Sequence, residues 1–182
     1  MKDSNVFAEM MVHISLCTHQ EAKNVLIIGT ADEAIKQEAN KHSKISNIEY
    51  GNLDFVFTKE DKSVDTIIFT DVKLDLKSLA NISRVLKNDA LITFSTKAFS
   101  KDKDRLISDL KLVGEKFWIA MPFRFGHNTS IIASKKYHPT ADINLQRADL
   151  LDNLEYYSSE IHMASFVFPA KEHKELTGIA KR

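Results

Sequence analysis

The sequence predicts a single α/β domain, residues 1–182, built on a mainly parallel β-sheet with helices on both faces and an antiparallel strand pair towards the C-terminus. Two observations carry this prediction. Short runs of β-branched and apolar residues alternate along the chain with stretches of helical periodicity. Only five glycines and three prolines occur in 182 residues, which favours a compact chain rich in helices and strands.

The predicted elements follow one another in a regular order. Residues 7–17 place apolar side chains on one helical face and predict a leading helix within residues 1–20. The β-rich run 25–28 predicts the first strand, and residues 31–41 predict the helix that follows it. The remaining predicted strands are residues 48–50, 65–70, 90–94, 116–121 and 130–134, and the remaining predicted helices are residues 74–86, 103–112 and a C-terminal motif within 150–176. In such a fold ligands bind outside the carboxyl ends of the strands.

Charge and composition narrow the functional classes. The 25 basic and 25 acidic residues cancel, so no overall field attracts nucleic acid or an acidic membrane. The single cysteine, Cys17, excludes an internal disulfide framework, and no run reaches membrane-spanning length. We therefore expect a cytoplasmic protein without nucleic-acid or membrane partners. Its apolar first helix and its C-terminal aromatic residues lead us to expect a homodimer.

The stretch NVLIIGTADEAI, residues 24–35, predicts a strand, a tight turn and a helix, which is how nucleotide-binding α/β domains begin. Several glycines normally let the backbone of such a turn approach a cofactor closely. Here only Gly29 remains, and Thr30 and Ala31 follow it. Asp32 stands where the helix begins, so it is either an N-cap or a ligand-binding carboxylate.

Two strings near opposite ends of the chain resemble the polyamine aminopropyltransferases, the family of spermidine synthase. They are EMMVHISLCTHQEAKNVLIIG, residues 9–29, and YYSSEIHMASFVFP, residues 156–169. The residues that match the family's motifs are Glu9, Met10, His13, Thr18 and His19 in the first string, and Tyr156, Tyr157, Ser158, Glu160, His162, Ala164, Ser165, Phe166 and Pro169 in the second. Their order is that of the family, so the resemblance extends over residues 7–176.

The resemblance implies a Rossmann-like, methyltransferase-type domain that takes decarboxylated S-adenosylmethionine as a co-substrate, with no tightly bound cofactor and no metal. Such enzymes transfer an aminopropyl group to the amine of putrescine and release methylthioadenosine. The partners that it implies are thus a small amine and a sulfonium nucleoside. Because a sulfonium is already a good leaving group, the protein needs to align the amine and remove its proton.

The family's motifs also imply a set of nucleoside-binding residues. These are Gly29, Asp32, Glu49, Gly51, Asn52 and Thr70. Asp32 corresponds to the carboxylate that binds the aminopropyl amine. Glu49 has the spacing of the acid that binds the ribose hydroxyls. Alternatively, IEYGNLDF resembles the later Gly-Asp segment that contacts adenine; Asn52 then replaces the aspartate, and the ribose-binding strand has shrunk or vanished.

The resemblance places the amine-side residues after later strands. The family's catalytic aspartate falls on Thr70, and Asp71, one residue further on, is the candidate base if the turn shifts by one. The loop predicted over residues 123–128 contains Arg124 and His127 where the family has a tyrosine near the diamine. Arg124 would repel a diamine unless a carboxylate neutralises it. We expect a short, divergent member of the family that lacks its N-terminal β-domain.

Three functions remain open at this stage. The first is a spermidine synthase-like aminopropyltransferase with weakened activity, the second is a catalytically inactive binding or scaffold protein, and the third is an S-adenosylmethionine-dependent methyltransferase. Individual residues have structural alternatives as well. Asp32 and Asp71 fit helix caps or turns. The three histidines of the matching strings, His13, His19 and His162, fit buried structural roles better than catalysis or metal binding.

Overall fold

The computed structural model describes residues 3–182, which form one six-stranded sheet with helices around it. The strands are β1 (Asn24–Ile28), β2 (Asn47–Gly51), β3 (Val64–Phe69), β4 (Leu86–Thr96), β5 (Ile119–Phe125) and β6 (Asn128–Ser134). The helices are α1 (Asp3–Thr18), α2 (Glu33–Asn40), α3 (Leu53–Phe57), α4 (Leu76–Val85), α5 (Lys103–Gly114), α6 (Leu145–Asp149), α7 (Ser159–Ser165) and α8 (Ala170–Leu176). No helix within residues 3–182 is both long and apolar enough to cross a membrane.

The strand order is β2-β1-β3-β4-β6-β5. The strands β2, β1, β3 and β4 are mutually parallel, and β6 is antiparallel to both of its neighbours, β4 and β5. The predicted α/β class and the closing antiparallel pair are therefore confirmed. The chain passes from β1 outwards to β2 and then back across β1 to β3, so a crevice opens between the carboxyl ends of β1 and β3.

Alternate residues of the strands supply two apolar cores, one on each face of the sheet. Val25 and Ile27 pack with α1, whereas Leu26 and Ile28 pack on the opposite face with α4 and α5. The helix α1 is buried on almost every side rather than along the single stripe that its apolar spacing predicts. The reason is that α1 contacts the sheet on one side and α2 and α6 on another, so its polar residues are also enclosed.

Some element boundaries differ from those predicted. Leu86 is the first residue of β4 and not the last of a helix, because the chain turns to an extended conformation there. The helix α3 was not predicted at all. The loop predicted over 123–128 is confirmed only at Gly126 and His127, which form the hairpin turn, because Phe123 to Phe125 belong to β5 and Asn128 belongs to β6.

Candidate functional site

The carboxyl ends of β1, β2 and β3 meet where the sequence predicts a ligand site. The Gly29 amide donates to the Gly51 carbonyl at 2.9 Å, and the Thr70 amide donates to the Ile28 carbonyl at 3.0 Å. In the sheet register Ile28 stands opposite Gly51 on one side and Phe69 on the other. Three of the residues assigned to nucleoside binding, Gly29, Gly51 and Thr70, are thus brought together at one edge of the sheet.

Asp71 lies at the centre of this edge and bonds across the crevice to Thr30. Its Oδ1 accepts from the Thr30 amide at 3.0 Å, and its Oδ2 accepts from the Thr30 hydroxyl at 2.7 Å. The Thr70 hydroxyl adds a longer contact of 3.3 Å to Oδ1. Hydrogen bonds from Thr30 hold the pKa of Asp71 below its usual value. Since all these donors are neutral, the Asp71 carboxylate keeps its negative charge; we call this pair the Asp71–Thr30 bridge.

The bridge explains why Gly29 is the glycine that remains in the turn. Gly29 has φ +110°, which side chains of L-residues rarely allow. A Cβ atom at this position would lie 2.1 Å from the Asp71 Oδ1 and 2.6 Å from the Thr70 hydroxyl. Gly29 is therefore required by the protein's own packing, whether or not a nucleoside approaches the turn.

Two further residues of the predicted nucleoside site cap helices. Asp32 is the N-cap of α2, and its Oδ1 accepts from the Ile35 amide at 3.0 Å. Asn52 is the N-cap of α3, and its Oδ1 accepts from the Phe55 amide at 3.0 Å. Both side chains are exposed at the carboxyl edge of the sheet. The structure thus shows the cap role for both, and their role towards a ligand stays a prediction.

Glu49 lies apart from this group. It stands opposite Leu26, within β2 rather than at its end. Its Oε2 forms an ion pair with Lys59 Nζ at 2.6 Å, and this bond lowers the pKa of the Glu49 carboxyl. Within the described chain one strand, β2, lies beside β1 on this side of the sheet. The acid of this strand is already paired with a lysine, and both readings of the strand stay predictions.

Arg124 and His127 lie at the same edge of the sheet but far from Asp71. Through the register of β5, β6 and β4, Arg124 stands level with Thr129 and Thr96, three strands from β3. At the usual strand spacing that is roughly 14 Å. His127 is exposed in the hairpin turn. The structure does not bring this pair to the Asp71 carboxylate.

The Arg124 guanidinium is engaged by the C-terminal segment. Its Nη2 donates to the Val167 carbonyl at 2.7 Å, and its central carbon lies 4.5 Å from the centroid of the Phe168 ring. Its Nη1 lies 3.7 Å from Glu172 Oε2. Glu172 is therefore the carboxylate that lies beside Arg124 and neutralises its charge. Together these contacts hold β5 against α8.

An open depression of about 330 Å³ lies beside the bridge, at the carboxyl ends of β3 and β4. It is lined by Asp71, Val72, Lys73, Ser95, Thr96, Lys97 and Arg105. We call it the Asp71 depression. Arg105 Nε bonds the buried Asp109 Oδ2 at 2.7 Å, and the Thr96 hydroxyl donates to the same oxygen at 2.6 Å. Three cations of this depression were not predicted from the sequence, namely Lys73, Lys97 and Arg105. The signal for Lys97 was its position directly after β4, at the same edge of the sheet as Asp71.

Comparison with known proteins agrees with these observations. Residues 4–64 match the family model described as "Spermine/spermidine synthase domain". The polyamine aminopropyltransferase of Helicobacter acinonychis (strain Sheeba) is 28% identical over an alignment that covers 91% of this chain and 74% of that protein. That of Lachnospira eligens is 25% identical and covers 92% and 76%. Residues 4–64 of this chain thus resemble the spermine/spermidine synthase domain, and most of its length resembles the polyamine aminopropyltransferases.

Solved structures of spermidine synthases share the fold. The crystal structure of spermidine synthase from Thermotoga maritima superposes with a TM-score of 0.85 at 22% identity, over 98% of this chain and 75% of that one. A crystal structure of spermidine synthase in complex with the transition state analogue AdoDATO gives a TM-score of 0.84 at 22% identity, over 97% and 75%. The six-stranded architecture is thus that of the spermidine synthase fold.

The residues that match the family's two motifs contact one another although they come from opposite ends of the chain. Glu9, only 2% exposed, accepts three backbone hydrogen bonds: its Oε1 from Glu155 at 2.8 Å, and its Oε2 from Tyr156 at 2.9 Å and Tyr157 at 2.7 Å. We call this group the Glu9 clasp. It fixes the C-terminal segment on α1, so these motif residues have a structural role.

His162 of the C-terminal motif is likewise structural. Its Nε2 lies 2.9 Å from the Pro139 carbonyl, which can only accept, and its Nδ1 lies 2.9 Å from the Tyr157 hydroxyl. Nε2 therefore carries the proton and Nδ1 accepts from Tyr157. Burial lowers the pKa of His162 to about 4. A fully buried, neutral imidazole with both nitrogens bonded is placed for packing and not for proton transfer to a substrate.

His19, which matches the first of the two motifs, lies near carboxylates of the kind that bind metal ions. Among residues 3–182 the one group that brings ligand-type atoms close together is His19, Asp65 and Asp89, whose atoms lie within 4.8 Å of one another. The fold thus supplies carboxylates that the sequence did not reveal. However, His19 Nδ1 accepts from the Glu21 amide at 3.2 Å, so its neutral ring carries the proton on Nε2 and offers no lone pair there. Asp65 is already bonded by Lys87 at 2.8 Å, which argues against a metal site.

Proposed function

We propose that the protein binds decarboxylated S-adenosylmethionine and transfers its aminopropyl group to an amine, putrescine being the acceptor that the family resemblance implies. The observation that carries this proposal is the Asp71 carboxylate. It stands at the crevice between β1 and β3, lines the Asp71 depression and is held ionised by neutral donors. Within residues 3–182 no cation forms an ion pair with Asp71, and such a carboxylate is the group that an ammonium or a sulfonium needs there.

The chemistry is a single displacement. The amine nitrogen forms a bond to the aminopropyl carbon next to sulfur, the carbon–sulfur electron pair passes to sulfur, and methylthioadenosine leaves as a proton is released to solvent. Because the pKa of Asp71 is lowered, its carboxylate is a weak proton acceptor. In this proposal Asp71 therefore holds and orients the amine by its charge, and Asp32 and Asn52 offer further polar contacts at the same edge.

A second candidate is a binding protein of the same fold that has no turnover. The Asp71–Thr30 bridge favours it, since the bridge spans the crevice that a nucleoside would enter. The Asp32 side chain is in addition bonded to its own helix. In this alternative the bridge stays closed, and the fold serves recognition of another molecule rather than catalysis.

Calorimetric titration with decarboxylated S-adenosylmethionine and with methylthioadenosine, followed by an assay for spermidine made from putrescine, separates the candidates. Binding with turnover supports the enzyme, and binding without turnover supports the silent protein. Tight binding of intact S-adenosylmethionine instead would favour methyl transfer.

A pair of variants tests the role of Asp71. Asp71→Asn keeps the shape and the bond from the Thr30 amide, and its amide nitrogen can donate to the Thr30 hydroxyl, but the charge is removed. Turnover is therefore expected to fall about 100-fold while methylthioadenosine still binds. The control is Asp152→Asn, an exposed loop residue, which leaves turnover unchanged. Full turnover in Asp71→Asn would overturn the assignment.

We further propose that residues 1–182 act as one domain and that the protein is a cytoplasmic homodimer. The single sheet that contains all six strands supports the first point. Exposed apolar side chains such as Trp118, 79% accessible, and Leu150, 73% accessible, support the second. Sedimentation equilibrium measures the assembly state, and a monomer at micromolar concentration would contradict the dimer.

A further inference from the structure

The Asp71 depression contains charges of both signs. Asp71 and Lys73 follow β3, Lys97 follows β4, and Arg105 reaches in from α5. Phe69 stands opposite Phe94 in the parallel register, so the residues just beyond these two strands are neighbours at one edge of the sheet. The carboxylate therefore borders a surface that otherwise carries cations.

The positive charges outnumber their local partners. Arg105 is matched by Asp109 beneath it, through the 2.7 Å contact. Lys73 and Lys97 are exposed, and neither takes part in an ion pair within the part of the chain that the structure describes. The bonds to the Asp71 oxygens come from hydroxyl and amide groups, which carry no charge. The depression thus offers one carboxylate and two unmatched ammonium groups.

This charge pattern suits a particular kind of acceptor. A diamine such as putrescine carries two positive charges, and only one of them finds a carboxylate here. An amine that also bears a carboxylate places one charge on Asp71 and the other on the lysines. At about 330 Å³ the depression lies at the small end of the range of ligand sites, roughly 300–1,000 Å³, which fits a molecule of a few carbon atoms.

We propose that the acceptor is a small aminocarboxylate whose amine lies on Asp71 and whose carboxylate lies on Lys73 and Lys97. This inference rests on the proposed aminopropyl transfer at the same site. The amine nitrogen attacks the aminopropyl carbon, the carbon–sulfur bond breaks with its electrons going to sulfur, and one proton leaves the nitrogen. The products are an N-(3-aminopropyl) amino acid and methylthioadenosine.

The test compares putrescine, ornithine and 4-aminobutyrate as acceptors with decarboxylated S-adenosylmethionine. Ornithine is putrescine with an added carboxylate, and 4-aminobutyrate has a carboxylate in place of one aminomethyl group of putrescine. Release of methylthioadenosine and the mass of the product are followed together. At low ionic strength kcat/KM for at least one aminocarboxylate is expected to exceed that for putrescine by about tenfold.

Matched lysine variants locate the preference. Lys97→Met and Lys73→Met are expected to raise KM for the aminocarboxylate several-fold and to leave its kcat nearly unchanged. They are also expected to raise kcat/KM for putrescine. Lys101→Met removes an exposed lysine that does not line the depression, so the ratio of kcat/KM for the aminocarboxylate to kcat/KM for putrescine is expected to stay unchanged.

Two outcomes are distinguishable failures. The first failure is methylthioadenosine release with putrescine preferred over both aminocarboxylates, or an aminocarboxylate-to-putrescine ratio of kcat/KM that neither Lys73→Met nor Lys97→Met changes. This result overturns the aminocarboxylate as acceptor and leaves the proposed aminopropyl transfer standing. No methylthioadenosine release with any of the three acceptors overturns the proposed function, and this inference with it.

Discussion

Asp71 and Thr30, 41 residues apart in the chain, are joined by two hydrogen bonds, one to each carboxylate oxygen of Asp71. The amide of Thr30 belongs to the turn that follows β1, the turn in which nucleotide-binding folds present free backbone N–H groups to their ligand. Here a side chain of the same protein already satisfies that amide. A nucleoside that enters the crevice must therefore either displace Asp71 or bind beside it.

Gly29→Ala is expected to break this arrangement. The added Cβ collides with the Asp71 Oδ1 at 2.1 Å and forces an unfavourable φ of +110°. We expect the free energy of unfolding, measured by urea denaturation, to fall by roughly 2–4 kcal/mol. The control is Gly178→Ala, which has φ +78° but no atom within 4 Å of the new Cβ. It should cost about 1–2 kcal/mol; equal losses in the two variants would contradict the bridge.

Glu9→Gln is expected to loosen the C-terminal segment. The carboxylate accepts three backbone N–H groups, whereas an amide can accept at one atom and presents an N–H donor at the other. At least one buried donor is left without an acceptor, at a cost of about 1–3 kcal/mol in unfolding free energy. Glu21→Gln, on an exposed side chain, is the control with little effect. In limited proteolysis of Glu9→Gln, the first cut should fall beyond residue 150, in the segment that the clasp holds in the parent protein.

Stability is expected to depend on pH through His162. Its pKa is about 4 in the folded protein, below the ordinary value of 6.5, so between these pH values the unfolded chain binds a proton that the folded chain does not. Titration of His162 therefore leaves the free energy of unfolding unchanged above pH 6.5. As the pH falls from 6.5 towards 4, this free energy decreases by about 1.4 kcal/mol per pH unit.

The measurement is urea denaturation at several pH values from 4.5 to 7.5 for two variants. His162→Gln should make the fall of the unfolding free energy with pH shallower by about 1.4 kcal/mol per pH unit, because one titrating group is gone. His13, His19 and His42, whose pKa values burial also lowers, keep their share of the pH dependence. His127→Gln, on a side chain exposed in the hairpin turn, should leave the slope as it is. An unchanged slope in His162→Gln would show that other groups carry the pH dependence.

Arg124→Met is expected to act on stability and not on ligand binding. It removes the bond to the Val167 carbonyl and the contact with Phe168, at a cost of about 1 kcal/mol because the arginine side chain is partly exposed. Calorimetric affinity for methylthioadenosine should stay within about twofold of the parent protein. A large loss of affinity would instead return Arg124 to the substrate site.

The strands of the sheet centre could be predicted because burial dictates their composition. Every residue of β3 is buried, and its run of residues 67–69 shows the continuous apolar pattern of a strand enclosed on both faces. The run LDFVF was missed as a helix because five residues are too short to show periodicity. The end of β5 was missed because Pro122 indicates a break, yet β5 is the edge strand of the sheet, where a missing N–H is tolerated.

The site could be predicted only in part, for a related reason. The sequence identifies which strand ends carry polar groups, so Gly29, Gly51 and Thr70 were placed correctly at one edge. It does not specify where a side chain points. That Asp71 turns to Thr30 depends on a contact between residues 41 apart. The cations of the Asp71 depression come from three separate elements, which only the folded chain assembles.

The Glu9 clasp joins residues 146 to 148 positions apart. During synthesis on the ribosome, the three amide partners of Glu9 emerge only after more than 140 further residues, so the carboxylate must remain hydrated until then. Contacts of such long range make folding slow. The Glu9 clasp therefore cannot close before residue 157 has been synthesised, and until then the C-terminal segment is not held on α1.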